Sequence, residues 1–315
     1  MTRALHAFES RLAPEARGMV AMIVAMMIFT FMDSGAKHLV EGHHTVQVVW
    51  ARYMGQTVIL AVIFAPRLRS LLRTRNPGIQ LARSMTMFLA TSLFFTSLNF
   101  MALAESVAVF EVAPLLITVL AALILKERVG PRRWTAVVLG LCGALIIIRP
   151  GLDVFQPAAL LTLGAAACMA MFQIMTRMLG RGDSIWTTLI YTTGFGAVVA
   201  SLAVPFFWTT PEGWDALIMA GFGGIGLVGH MCLVYALSQA PASTLAPFNY
   251  AGFCWALTFG FIIFGEVPDF WTMIGASIIV GAGIYVWHRE RVRSRPAGAV
   301  APRHVSAAGE DERRG

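Results

Sequence analysis

The sequence predicts an all-α membrane protein of ten transmembrane helices arranged as two inverted halves of five. Three observations carry this. Only 13% of the 315 residues are charged and 57% are hydrophobic, with a mean hydropathy of +0.70, too little charge to cover a water-soluble domain of this length. Apolar stretches of roughly 20 residues, the length that crosses about 30 Å of hydrocarbon, recur along the whole chain. Lys and Arg fall in alternate gaps between those stretches, as the positive-inside rule requires.

In chain order the spans are 18–36, 45–64, 82–102, 107–125, 132–149, 157–176, 185–206, 214–237, 243–264 and 270–288. Amides in lipid must be paired within their own segment, so these are helices; a barrel would show short alternating strands instead. Span eight carries Gly221, Gly223, Gly224, Gly226 and Gly229, which in a membrane let neighbouring helices approach closely. With a cytoplasmic start, 21 of the 24 Lys and Arg residues fall on the inner side. Lys37 and Arg149 fall outside and Arg52 within span two, so both termini are expected in the cytoplasm of a cell with this chain in its plasma membrane, the inner membrane of a bacterium. The chain then divides into an N-terminal arm (1–17), a first half (18–149), a second half (150–288) and a tail (289–315).

The net charge of +7 does not point to nucleic acid, because the basic residues flank spans and topology accounts for them. The tail, rich in Arg, Ala, Gly and Pro, reads as disordered and suited to anionic lipid. Met19–Ala36 continues straight into the polytopic pattern and is expected not to be a removable signal peptide. Cys142, Cys168, Cys232 and Cys254 lie in four different spans with no metal spacing, and His38, His43 and His44 read as solvated loop residues. The chain has no GxSxG, HExxH or Walker A sequence. It is therefore expected to be neither an enzyme nor an ATP-driven pump, and to need no cofactor.

Phe100–Trp134 and Val234–Trp271 resemble each other. Each runs from an Ala-Leu pair through an Ala-Pro pair to a Glu just past an apolar helix, then to a Trp opening the next span. The spacing drifts, since Pro114 precedes Glu127 by 13 residues and Pro247 precedes Glu266 by 19. Five spans is an odd number, so the halves insert with opposite orientation. Such halves, rocking about a site near the midplane, are a common construction for secondary transporters.

The blocks from Ala113-Pro114 to Leu125-Lys126-Glu127-Arg128, with Gly140 and Gly143, and from Ala246 to Asp269, with Gly275, resemble those of EamA-type members of the drug/metabolite transporter superfamily. The likeness runs from about Met19 to Glu290. It implies two inverted EamA repeats around a central cavity and a small-molecule metabolite as substrate, of an amino-acid, nucleoside or vitamin kind such as S-adenosylmethionine or riboflavin. Where the family usually has Gly before the first Glu, this chain has Lys126; the second block keeps Gly265. A receptor or scaffold without transport is the alternative reading. Protons and a second copy of the chain are the other partners that the sequence allows, beside membrane lipids.

Ionisable groups inside spans mark the expected site, because a charge in hydrocarbon costs at least about 2.5 kcal/mol and normally faces a partner or a wet cavity. Asp33, Arg52 and Glu111 qualify in the outer half of the membrane, whether as cavity residues or, for Asp33 with Arg52, as a structural ion pair. Ser92, Thr96 and Asn99 form a polar stripe. His230, Tyr235, Asn249 and Tyr250 lie toward the inner half, and Trp255 is one of several nearby aromatics. Pro114 and Pro247 remove an amide in mid-span and free the carbonyls of Phe110 and Ser243, as kinks or as cavity-lining breaks. Glu127 and Glu266 are expected to accept amides of the following helix. Ala136, Gly140, Ala144, Ser277 and Gly281 are expected to be packing faces.

Overall fold

A computed structural model describes residues 14–126, 130–149, 157–179 and 183–293. These residues contain helices and connecting turns and no strand. The long helices are α1 (Pro14–Gly42), α2 (Thr45–Ile63), α3 (Pro77–Ser97), α4 (Leu103–Ile124), α5 (Pro131–Ile148), α6 (Ala158–Leu179), α7 (Ile185–Ala203), α8 (Gly213–Gln239), α9 (242–264) and α10 (Phe270–Arg293). Seven stretches, in α1, α2, α4, α6, α7, α8 and α9, are long and apolar enough to cross a bilayer; α5 and α10 contribute shorter apolar stretches, 134–148 and 270–285.

Starts and stops follow local chemistry. His44 Nδ1 accepts the Val46 amide ahead of α2 and Ser184 Oγ accepts the Thr187 amide ahead of α7, while Pro77 and Pro131 open α3 and α5 where a missing amide costs nothing. Gly265 ends α9 with φ +68°, and Lys126 takes the same left-handed conformation past α4 with φ 53°. The Lys thus adopts the turn geometry of its counterpart Gly265 in the second half, at roughly 1–2 kcal/mol of backbone strain.

Both proline spans are broken. α4 consists of Leu103–Phe110 and Ala113–Ile124, interrupted at Glu111 and Val112; α9 consists of Ala242–Leu245, a 3₁₀ stretch Ala246–Tyr250 and Ala251–Phe264. The two prolines do not occupy equivalent depths: Pro114 follows the first residue of α4 by eleven positions, Pro247 that of α9 by five. Measured from the left-handed turn instead, Glu111 precedes Lys126 by fifteen positions and Tyr250 precedes Gly265 by fifteen. The two breaks therefore correspond at Glu111 and Tyr250.

Packing obeys the same symmetry. α1 lies on α8 as α6 lies on α3, α1 on α9 as α6 on α4, and α2 on α8 as α7 on α3, while α2 meets α7 and α5 meets α10. Glycine permits the closest crossings: a Cβ on Gly223 would stand 2.2 Å from the Gly55 carbonyl carbon, and one on Gly143 2.7 Å from Gly275 O. The expected small-residue faces are partly corrected. Gly143 and Gly275 make the α5–α10 contact and Gly140 packs on Leu115 of α4, whereas Ser277 is exposed and Gly281 faces open space. Around the bundle large apolar groups are bare, including Val62 (71% exposed), Leu202 (73%) and Ile262 (71%), a surface that only lipid solvates. Trp208, Trp214 and Trp271 ring the end that carries His43, and Trp134 and Trp186 the opposite end, as interfacial belts do.

Candidate functional site

Three charged side chains inside the bundle have no hydrogen-bond or ion-pair partner among the described residues. Asp33 (α1) and Glu111 (the break in α4) make no hydrogen bond or ion pair among the described residues, and both are partly accessible. Arg52 (α2) is 8% exposed and forms no ion pair; its guanidinium stands 5.5 Å from the Phe95 ring and 5.8 Å from that of Tyr53, and its Nε is buried without an acceptor. One turn further along α2, the Gln56 Nε2 is also buried without an acceptor, fitted against Gly226 of α8, where a Cβ would lie 2.2 Å from it. The charges of Asp33 and Arg52 act on each other with no direct contact between them. Glu111 Oε1 and Thr30 Oγ1 reach the same place over Gly252 of α9, 3.7 and 3.8 Å from where its Cβ would stand. Burying such groups bare is expensive, so they belong to an interior that something polar must enter.

The other expected residues divide. His230 Nδ1 bonds Gly226 O at 2.8 Å and its ring meets Phe29 edge-on at 5.1 Å, beside the Gln56 amide. Tyr250 lies within the field of Glu111, but its hydroxyl is aimed at Gly283 of α10. Asn249 is partly buried in the 3₁₀ stretch. Trp255 stacks on Phe259 at 5.9 Å, which meets the exposed Phe31. Tyr235 is 41% exposed, the Pro114 ring is exposed, and Asn99 sits past the end of α3, bonding Thr45 Oγ1 at 3.1 Å. These last three do not join the Asp33–Arg52–Glu111 interior.

Sequence reasoning missed the ties that close the two ends. At the His43 end, Lys37 Nζ pairs with Glu266 Oε1 at 2.6 Å and donates to Met101 O at 2.7 Å, while Glu266 Oε2 accepts the Leu103 amide at 2.9 Å. Glu266 thus caps α4 of the first half; the following helix is capped by Asp269, which accepts the Thr272 amide at 2.8 Å. Glu127 lies outside the described residues. Asp269 also pairs with Arg149. Its slight burial works to raise its pKa, but bonds from Thr272 and Arg149 prevail and hold it below the usual carboxylate range. His38 and His43 both bond Asp215 at 3.1 Å, and the His43 side chain is 7% exposed, so it is not a solvated loop residue.

At the opposite end Arg83, counted from sequence among the inner-side charges, is 2% exposed inside α3. It donates to Thr176 Oγ1 (3.3 Å), Thr188 O (2.7 Å) and Thr192 Oγ1 (2.6 Å) and lies 4.6 Å from the Phe172 ring. Gln80 and Thr74 bond Asp183 there; the cost of its slight burial is outweighed by those bonds and by Arg75, and its pKa is lowered. Among the described residues no group of His, Cys, Asp and Glu is arranged to hold a metal ion.

Two halves related by inverted packing, a broken helix in each and bare charges between them define a polytopic membrane transporter. The EamA-like transporter family matches residues 16–149 and again 156–287, and the chain belongs to that family. It is 30% identical to a riboflavin transporter of Vibrio cholerae, over 89% of this chain and 95% of that one. It is 25% identical to an S-adenosylmethionine uptake transporter of Rickettsia felis, over 82% and 88%. A crystal structure with 17% identity covers 89% of this chain and 98% of its own at a TM-score of 0.61, a likeness of fold. The protein is a multi-pass membrane transporter of a metabolite.

Proposed function

We propose that the chain moves a polar organic metabolite by alternating access, holding it between the halves on Asp33, Arg52 and Glu111, with Gln56 and His230 beside them. The observation that carries this is that these three charges lie inside the bundle with no hydrogen-bond or ion-pair partner among the described residues. A structural role would have given them partners, as it gives Lys37 and Arg83 theirs. The break in α4 puts Glu111 where the α-helical hydrogen-bond ladder tightens and is interrupted, and inward-facing breaks of this kind are where transporters seat their cargo. Relatives named for the transport of riboflavin and the uptake of S-adenosylmethionine support a cargo of that kind. The chain carries no nucleotide-binding motif and acts as a carrier, not an enzyme, with the His43 end outside the cell.

Reconstitution into proteoliposomes without ATP tests the proposal. Arg52→Ala and Glu111→Ala are expected to lower flux at least about tenfold, a loss of some 1.4 kcal/mol in solute stabilisation, at unchanged folded yield. Normal flux in both variants refutes the site, and strict dependence on ATP refutes the carrier.

A further inference from the structure

The two halves are equivalent in fold and unequal in packing. At the His43 end, the first part of α4, Leu103–Phe110, packs on α9 and α10 and buries six of its eight residues. The second part, Ala113–Ile124, packs on α5 and α6 without comparable contact to α9, and buries three of its twelve. α4 keeps α6, and α9 keeps α1, over both of their parts. What distinguishes the two ends is therefore whether α4 and α9 touch.

We propose that Lys37 and Glu266 are the outer gate of the carrier, an assignment that rests on the alternating-access reading: the pair stays together on α1 and α9 and opens the His43 end by letting go of α4. It holds α4 by two backbone atoms, Lys37 Nζ on Met101 O at 2.7 Å and Glu266 Oε2 on the Leu103 amide at 2.9 Å. Water entering an opened end takes over both bonds, and because the ion pair itself is kept, no charge is stranded by the motion. The neighbouring ties differ in kind. His43 with Asp215 joins α1 to α8, and Arg149 with Asp269 joins α5 to α10, helix pairs that pack extensively and can stay docked while α4 parts from α9. Ser106 Oγ lies in the sealed part of α4, buried with no hydrogen-bond partner. A hydroxyl left bare in a closed contact calls for a reason, and hydration in the opened state supplies one.

Leu103 is the first residue of α4 and follows Ala102, whose backbone is extended (φ −61°, ψ 148°). Proline therefore fits at 103 and removes the amide that Glu266 holds. Leu103→Ala is the control, since it also empties the side-chain site and keeps the amide. The full-length chain, with its four native cysteines replaced by alanine, carries one reporter thiol. This is Ser106→Cys, or Thr118→Cys, which lies two turns beyond Glu111 on the same face of α4 and whose native hydroxyl is exposed. A membrane-impermeant maleimide is applied to whole cells for the first and to inside-out vesicles for the second. Leu103→Pro, and separately the charge-free double variant Lys37→Met with Glu266→Gln, should raise the labelling rate at 106 at least about tenfold and lower that at 118 by about half, as the open population grows. Leu103→Ala should leave both rates near those of the parent. Loosening of the whole fold would raise both rates, so opposite changes identify a gate. An unchanged rate at 106 in both variants, rates that rise together, or no labelling at 118 in the parent overturns the proposal. Labelling needs no solute, so a parent without flux refutes the carrier reading independently of these results.

Discussion

Lys37 Nζ lies 2.6 Å from Glu266 Oε1, joining the end of α1 to the end of α9 across the two halves, and the same carboxylate caps the first turn of α4. Removing one member strands a buried charge. Lys37→Met or Glu266→Gln alone is expected to destabilise the protein by about 3–5 kcal/mol, and the double variant by clearly less than either. Thermal unfolding in detergent measures this, and strict additivity would show that the pair is not coupled.

Arg83 and Arg52 are both buried arginines, but they should behave as opposites. Arg83→Met removes three hydrogen bonds that tie α3 to α6 and α7, so folded yield and melting temperature should fall, with flux per folded molecule little changed. Arg52→Met should keep yield and lose flux. Yield and flux measured on the same preparations separate the two; a stable, inactive Arg83 variant would move that residue into the solute path.

Glycines of α10 offer a matched control. A Cβ on Gly283 would stand 1.6 Å from the Tyr250 hydroxyl, while one on Gly281 meets open space. Gly283→Ala should cost about 1–3 kcal/mol through overpacking and Gly281→Ala close to nothing. Equal melting temperatures would contradict the contact.

Asp269 has its pKa held down in the folded state by Thr272 and Arg149. A depressed carboxylate contributes stability that is present above its unfolded pKa and lost as the pH falls through its folded value. The melting temperature of Asp269→Asn should therefore lie below the parent at pH 7, and the gap should close in strongly acidic buffer. A gap that is constant with pH would assign the loss to something other than the charge.

Topology is directly measurable. A reporter fused after residue 290 should read cytoplasm, and a cysteine replacing the exposed Gly42 should react with impermeant thiol reagents in whole cells. An outward tail would reverse the assignment of the two ends.

Spans were legible in the sequence because hydropathy and charge are local, and the helix starts fell within a few residues of their caps except at α3, which begins at Pro77. The sequence reading began that span at residue 82 and left Gln80 outside it; Gln80 and Arg83 are both buried, in polar contacts with α6, α7 and the turn before it. The bare charges Asp33, Arg52 and Glu111 were legible for the complementary reason: no local chemistry explains them. Pairing was not legible. Lys37 with Glu266, and His43 with Asp215, are separated by most of a chain length, and only the folded crossing of helices brings them together. The Ala-Pro repeat misled by its register. Spacing from the left-handed turn aligns Glu111 with Tyr250, and the shared dipeptide does not.

Where α2 crosses α8, Gly55 and Gly223 meet main chain to main chain, with no side chains interleaved between them. Interlocked side chains resist sliding because knobs must climb out of holes; two bare backbones present a smooth bearing. The crossing joins the first half to the second next to Arg52 and Gln56, so it can serve as a low-friction pivot at the level of the cargo. An added methyl at Gly55 or Gly223 would then act as a brake, slowing turnover more than it weakens solute binding.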